Sequence, residues 1–133
     1  MNHKILIVDD EEQVRKTIRL QLSAINYEII EAEDGEKAID MLNAENILLV
    51  DAIICDVRMP KINGVEAVAY FRREYPSIPV IVLTGYPDVN LAVDFLKEGV
   101  VEYLVKPVEK EKLIEVVTKT AQKRTIFGSD EPK

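Results

Sequence analysis

Tryptophan is absent from the 133 residues, and cysteine and histidine occur once each. The single Cys55 cannot close an intrachain disulfide. Its place in the apolar run Ile53-Ile54-Cys55 reads as a small buried hydrophobe. The lone His3 reads as a solvated residue near the N-terminus. No apolar run approaches the ~20 residues of a membrane span. Positive charge is scarce: 17 Lys and Arg stand against 24 Asp and Glu, for a net charge of −7. No basic cluster is longer than Arg72-Arg73 or Lys123-Arg124. An acidic excess argues against a nucleic-acid footprint in this segment. The first residues enter a strand pattern directly, without signal-peptide character. The expectation is a cytoplasmic protein with no membrane contact and no direct nucleic-acid contact.

What is present is one domain's worth of chain with 47% hydrophobic residues, enough to fill a core. There is no internal repeat and no low-complexity tract. Four β-branched, apolar runs stand out, each followed by a residue able to do chemistry. Ile5-Leu6-Ile7-Val8 precedes Asp9-Asp10, and Ile53-Ile54-Cys55 precedes Asp56. Val80-Ile81-Val82-Leu83 precedes Thr84, and residues 100–105 precede Lys106 and Pro107. Runs of this length bounded by turn signals read as buried parallel strands.

Between them lie helical patterns. Residues 11–24 place Val14, Ile18, Leu22 and Ile25 on one face. Residues 27–32 read as a strand near a sheet edge. Asp34-Gly35 caps a second helix, with Ala38, Ile39 and Leu42 inward. The stretch 43–50 could end that helix or begin the next strand early. A loop around Met59-Pro60 leads to a third helix, 64–75, with Val65, Val68 and Phe71 inward. Pro87-Asp88 opens a fourth helix, expected to bury Val89, Ala92, Val93 and Leu96 and to stop at Gly99. The fifth begins after Pro107 and runs to about Arg124, with Leu113, Val116, Val117, Thr120 and Ala121 inward. Five strands alternating with five helices predict a doubly wound α/β domain over residues 1–124. Residues 125–133 would form a flexible tail or the start of a linker.

In an open parallel sheet the carboxyl ends of the strands share one edge, where ligands bind. Three carboxylates, a hydroxyl and an ammonium should therefore meet on one rim. A single Asp after a strand is ordinarily a cap or a turn residue. Three together are costly. At ~5 Å and an effective dielectric of ~20, each ionised pair repels by about 3 kcal/mol. The three pairs sum to roughly 10 kcal/mol, against a typical stability of about 5–15 kcal/mol. Lys106 supplies one positive charge, and a divalent cation is the natural second partner. These are the parts of a magnesium-dependent phosphoryl-transfer site.

Residues 5–10, 53–56 with Met59-Pro60 and Gly64, 80–84 and 103–107 together resemble the receiver domain of two-component response regulators. The resemblance spans roughly residues 2–124. It implies a flavodoxin-like three-layer sandwich with a five-stranded sheet of order 2-1-3-4-5. It implies Asp56 as phosphoacceptor toward a sensor histidine kinase or a histidine phosphotransfer protein. It implies Mg2+ held by Asp9, Asp10, Asp56 and the backbone carbonyl of Arg58, with Asp10 direct and Asp9 largely through water. Thr84 and Lys106 match the groups that receive the phosphoryl oxygens, and Tyr103 matches an aromatic switch. A cis bond is implied at Pro107. Arg58 and Tyr86 match positions that gate water access to the acyl phosphate. The face of the fourth helix, fifth strand and fifth helix would switch, acting on an output domain, a downstream target or a phosphorylation-dependent homodimer. Such a protein is a phosphoacceptor switch rather than an enzyme.

Two other functions compete. A phosphatase on small phosphoesters commonly carries a second carboxylate two residues after the nucleophile, where this chain has Arg58. A flavin carrier needs a phosphate-cradling loop after the first strand, where this chain has Asp9-Asp10-Glu11-Glu12.

Overall fold

The computed structural model of the chain describes residues 3–44, 49–57 and 64–130. Strands β1 (Lys4–Val8), β2 (Glu28–Ala32), β3 (Val50–Cys55), β4 (Val80–Thr84) and β5 (Glu102–Val105) form one parallel sheet of order β2-β1-β3-β4-β5. Helices α1 (Glu12–Gln21), α2 (Gly35–Ala44), α3 (Gly64–Glu74) and α4 (Val89–Glu98) make the crossovers, and α5 (Lys110–Asp130) follows the last strand. A short 3-10 turn, Leu22–Ala24, continues α1.

Side chains alternate across the strands with period two, and this builds the two cores. Leu6, Val8, Ile53, Cys55, Val80 and Val82 face one side, where Ala38 and Leu42 of α2, Val68 and Phe71 of α3 and Phe95 of α4 cover them. Ile5, Ile7, Ala52, Ile54, Ile81 and Leu83 face the other, under Ile18, Leu113, Val117 and Ala121 of α1 and α5. The central strands are thus buried on both faces, as the continuous apolar runs require. The arrangement is the flavodoxin-like three-layer sandwich.

Local signals set the ends. Asp34 Oδ1 accepts the Lys37 N–H at 2.8 Å at the start of α2. Asp88 Oδ1 accepts the Leu91 N–H at 3.1 Å at the start of α4. Gly99 closes α4 in the left-handed region at φ 102°. The Arg72 side chain lies against Gly99, with Nε donating to the Glu98 carbonyl at 3.2 Å and a terminal nitrogen to the Pro76 carbonyl at 3.1 Å.

Several expectations need correction. Helix α4 buries Phe95 and half-buries Leu91 and Ala92, while Val89, Val93 and Leu96 are exposed. Apolar residues surround this helix, so two stripes compete. The one carrying Phe95, whose ring packs near Tyr103 with centroids 6.3 Å apart, takes the core. In α3, Val65 is exposed and Ala67 is buried in its place. Helix α5 runs to Asp130, beyond the expected end near Arg124. His3 is not simply solvated: its Nδ1 lies 3.0 Å from Asp51 Oδ1, and Asp51 is buried at the start of β3. The ambiguous stretch after α2 falls partly on residues 45–48, outside the described residues.

Candidate phosphoryl and metal site

Strand register brings the acidic residues level. Val8 pairs with Cys55, so Asp9 and Asp56 leave adjacent strands side by side at the carboxyl edge. Thr84 pairs with Val105, so Lys106 follows immediately beyond it on the neighbouring strand. One carboxylate oxygen from each of Asp9, Asp10 and Asp56 lies within 4.8 Å of the other two. Asp9 and Asp56 are buried and Asp10 is exposed, so the cluster opens to solvent on the Asp10 side.

Lys106 crosses the floor of this cluster. Its Nζ donates to Asp9 Oδ2 at 2.8 Å and lies 3.7 Å from Asp56 Oδ1. Burial pulls the ammonium pKa down, but the hydrogen bond and charge of Asp9, with the charges of Asp56 and Glu11, outweigh it and hold the pKa above the ordinary lysine value. Asp9 Oδ1 accepts the Glu11 N–H at 2.9 Å, and Asp56 Oδ1 accepts the Val57 N–H at 2.8 Å. Among the described residues, one ammonium faces these three carboxylates. A set of hard oxygen donors around a compact acidic cluster, open to water on one side, fits Mg2+ or a similar hard divalent cation.

The rim carries the other candidates. Thr84 is fully buried, and its Oγ1 accepts the Tyr86 N–H at 3.0 Å. Its carbonyl accepts the Lys106 N–H at 2.7 Å. The Lys106–Pro107 bond is cis. Tyr103 is half-buried, and its hydroxyl accepts the Asp88 N–H at 3.1 Å, tying β5 to the start of α4. Tyr86 is 61% exposed. Arg58, expected as both a metal-binding carbonyl and a gate, lies outside the described residues. The Gly64 N–H donates to the Val57 carbonyl at 2.8 Å. A Cβ at Gly64 would overlap the backbone of Asp56 and Val57, so only glycine lets α3 start against the end of β3.

One neighbour of this site escaped the sequence. Arg15 donates to the Asp9 carbonyl at 2.7 Å, and its Nε donates to Glu31 at 3.0 Å. The available signal was the helical spacing that turns Arg15 from α1 back toward the end of β1.

A family model described as "Response regulator receiver domain" matches residues 5–118. The transcriptional regulatory protein GlrR of Escherichia coli (strain K12) is 34% identical over 120 residues, covering 88% of this chain and 26% of that protein. The response regulator MprA of Mycobacterium bovis is 36% identical over 114 residues, covering 86% of this chain and 48% of that protein. The chain therefore spans between a quarter and a half of such curated relatives. Among solved structures, a response regulator receiver domain protein from Clostridium thermocellum superposes with a TM-score of 0.86 at 29% identity, covering 94% of this chain and 98% of that one. The chemotaxis protein CheY4 of Vibrio cholerae gives 0.80 at 29% identity, covering 90% and 99%.

Proposed function

The chain belongs to the response regulator receiver family of two-component signalling, and from that membership we propose that Asp56 accepts a phosphoryl group from a sensor histidine kinase or a histidine phosphotransfer protein. The observation that carries this reading is the cluster of Asp9, Asp10 and Asp56 around the Lys106 ammonium. Asp9, Asp10, Asp56 and the Arg58 carbonyl are the groups to hold Mg2+. When bound, the ion supplies charge neutralisation for the incoming phosphoryl oxygens.

The chain's own residues do the rest. Asp56 is a weak nucleophile, but a loose transition state asks little of it beyond alignment. The Asp56 Oδ1 accepts from the Val57 N–H and lies 3.7 Å from the Lys106 ammonium, which together hold the carboxylate in place at the rim. Lys106 then shifts between Asp9 and the phosphoryl group as a mobile point charge. The Thr84 hydroxyl, now bonded to the Tyr86 N–H, turns to a phosphoryl oxygen, and Tyr103 moves into the space it leaves. That movement would release the Asp88 N–H from the Tyr103 hydroxyl and alter the face of α4, β5 and α5. Val89, Val93, Leu96 and Val105 lie exposed on those elements, suited to an output domain, a target protein or a second copy. Arg58 and Tyr86 are bulky and offer no carboxylate to orient water, which favours a long-lived acyl phosphate.

We read residues 1–124 as the receiver unit and 125–133 as a tail or the start of a linker; the chain spans 26% of the length of GlrR. The phosphatase alternative gains no support from the comparisons.

The test is incubation with acetyl phosphate with and without magnesium, read by intact mass. One phosphoryl unit should be gained only with magnesium, and Asp56→Asn should gain none. An equal gain in that variant would refute the assignment.

A further inference from the structure

Asp9 is held at four points. Its N–H donates to the Ala32 carbonyl at 3.1 Å, Oδ1 accepts from Glu11 at 2.9 Å and Oδ2 accepts from Lys106 at 2.8 Å. The fourth is the Asp9 carbonyl, which accepts from an Arg15 terminal nitrogen at 2.7 Å. That carbonyl belongs to the peptide plane joining Asp9 to Asp10. The Glu11 N–H bonded to Asp9 Oδ1 belongs to the next peptide plane, so both planes flanking Asp10 are held, and with them the direction in which its exposed side chain leaves the backbone. The Arg15 side chain is only 15% exposed, and its Nε is bonded to Glu31 Oε1 of β2 at 3.0 Å. Glu31 is shared with Arg19, its second oxygen holding that guanidinium. A planar guanidinium thus spans from β2 to the turn after β1, using two of its donors in different directions.

We propose that Arg15, held by Glu31, is a positioning residue that sets the Asp9–Asp10 peptide so that the Asp10 carboxylate faces the cation site. The inference rests on the reading of that site as a magnesium-assisted phosphoacceptor. The part played is geometric and goes beyond the charge Arg15 brings near the carboxylates. A lysine would keep the charge, but its ammonium cannot reproduce the fork that serves Glu31 and the Asp9 carbonyl together.

Magnesium alone, titrated by calorimetry against the full chain, tests this. Partners that orient metal ligands typically change affinity by about 10–100-fold when removed. Arg15→Ala and Arg15→Lys should each weaken magnesium binding by about tenfold or more, at the low end of that range. Glu31→Gln should weaken it less. Arg19→Ala removes the other ion pair of Glu31 and should leave binding unchanged. A second measurement separates positioning from general damage. At saturating magnesium, Arg15→Lys should recover the native rate of phosphoryl uptake from acetyl phosphate, whereas a disturbed fold would lower the maximal rate as well. Native magnesium affinity in Arg15→Lys would overturn the proposal, as would equal losses in Arg19→Ala and Arg15→Ala or an unrecovered maximal rate. A native chain that binds no magnesium would overturn it too. If the native chain binds magnesium but takes up no phosphoryl group, the phosphoacceptor reading fails while the positioning of Asp10 by Arg15 can still be read from the affinities.

Discussion

Strand β3 carries a buried aspartate at each end, and the two are treated differently. At the carboxyl end, Asp56 sits beside Asp9, with Lys106 and the Val57 N–H as partners. At the amino end, Asp51 is equally hidden, its Oδ2 accepts no hydrogen bond among the described residues, and its partner there is the half-exposed His3. Both oxygens of Asp51 lie 3.0 Å from the same histidine nitrogen, which can bond only one of them. One end collects like charges around a bonded ammonium and leaves a side open. The other hides one charge behind one ring. Concentrated repulsion is a means of binding a cation. A single buried carboxylate is a means of fastening the first strand to the third.

The sharpest way to break this contrast is to remove the cation partner at each end. Lys106→Ala should slow phosphoryl uptake from acetyl phosphate by about 10²–10³-fold, the usual loss when one preorganised donor is deleted. His3→Ala should leave the uptake rate unchanged. Equal effects would show that the two ends are coupled, against the separation of roles drawn from their geometry.

Magnesium should distinguish the ends next. A cation that binds only the folded chain stabilises it by about 2.7 kcal/mol at a hundredfold excess over its dissociation constant. Thermal melting should show that gain in the native chain and in Asp51→Asn, and should lose it in Asp10→Ala. Without magnesium, Asp10→Ala should melt no lower than the native chain, because one repelling carboxylate is gone.

A smaller effect belongs to the amino end alone. His3→Ala leaves the buried Asp51 carboxylate without its hydrogen-bond donor and should cost about 1–2 kcal/mol in urea unfolding. His3→Gln should recover part of it.

The smallest effect is alkaline. Lys106 has its pKa raised, so its pairing is fully present below the ordinary lysine value and is lost as pH climbs through the folded value. Tyr27 is raised as well, by burial and then by the charge of Asp51, and its contribution is lost over the corresponding alkaline window above the ordinary tyrosine value. Stability should therefore stay flat through neutrality on both counts. Phenolate absorbance should show Tyr27 ionising at lower pH in Asp51→Asn than in the native chain, with no such change in Lys106→Ala.

Sequence and structure agree where burial is complete and part where it is partial. Strands β1, β3 and β4 are closed on both faces, so their apolar runs name them with little room for error. The five inward positions of α5 are all buried, because one apolar stripe faces a polar remainder. In α4 apolar residues encircle the axis, and only tertiary packing of Phe95 near Tyr103 decides the phase. The acidic cluster was legible because each of its members follows a strand. Arg15 and the His3–Asp51 pair were not. His3 and Asp51 lie 48 residues apart, and nothing local in the sequence marks their contact, while Arg15 had only its helical spacing from Asp9 to point to it.

Cys55 has a practical consequence. Its thiol is wholly buried beside Asp56, donates to the Asp56 carbonyl at 3.3 Å, and has its pKa pushed up by burial and by the charges of Asp56 and Asp9. A thiol kept protonated and out of solvent is unreactive toward alkylating reagents while the fold holds. The native chain is thus silent to maleimide chemistry, and one cysteine introduced on the exposed side of α4, such as Val93→Cys, would be its sole addressable sulfur. A fluorophore placed there could follow that helix in real time without touching the acidic cluster.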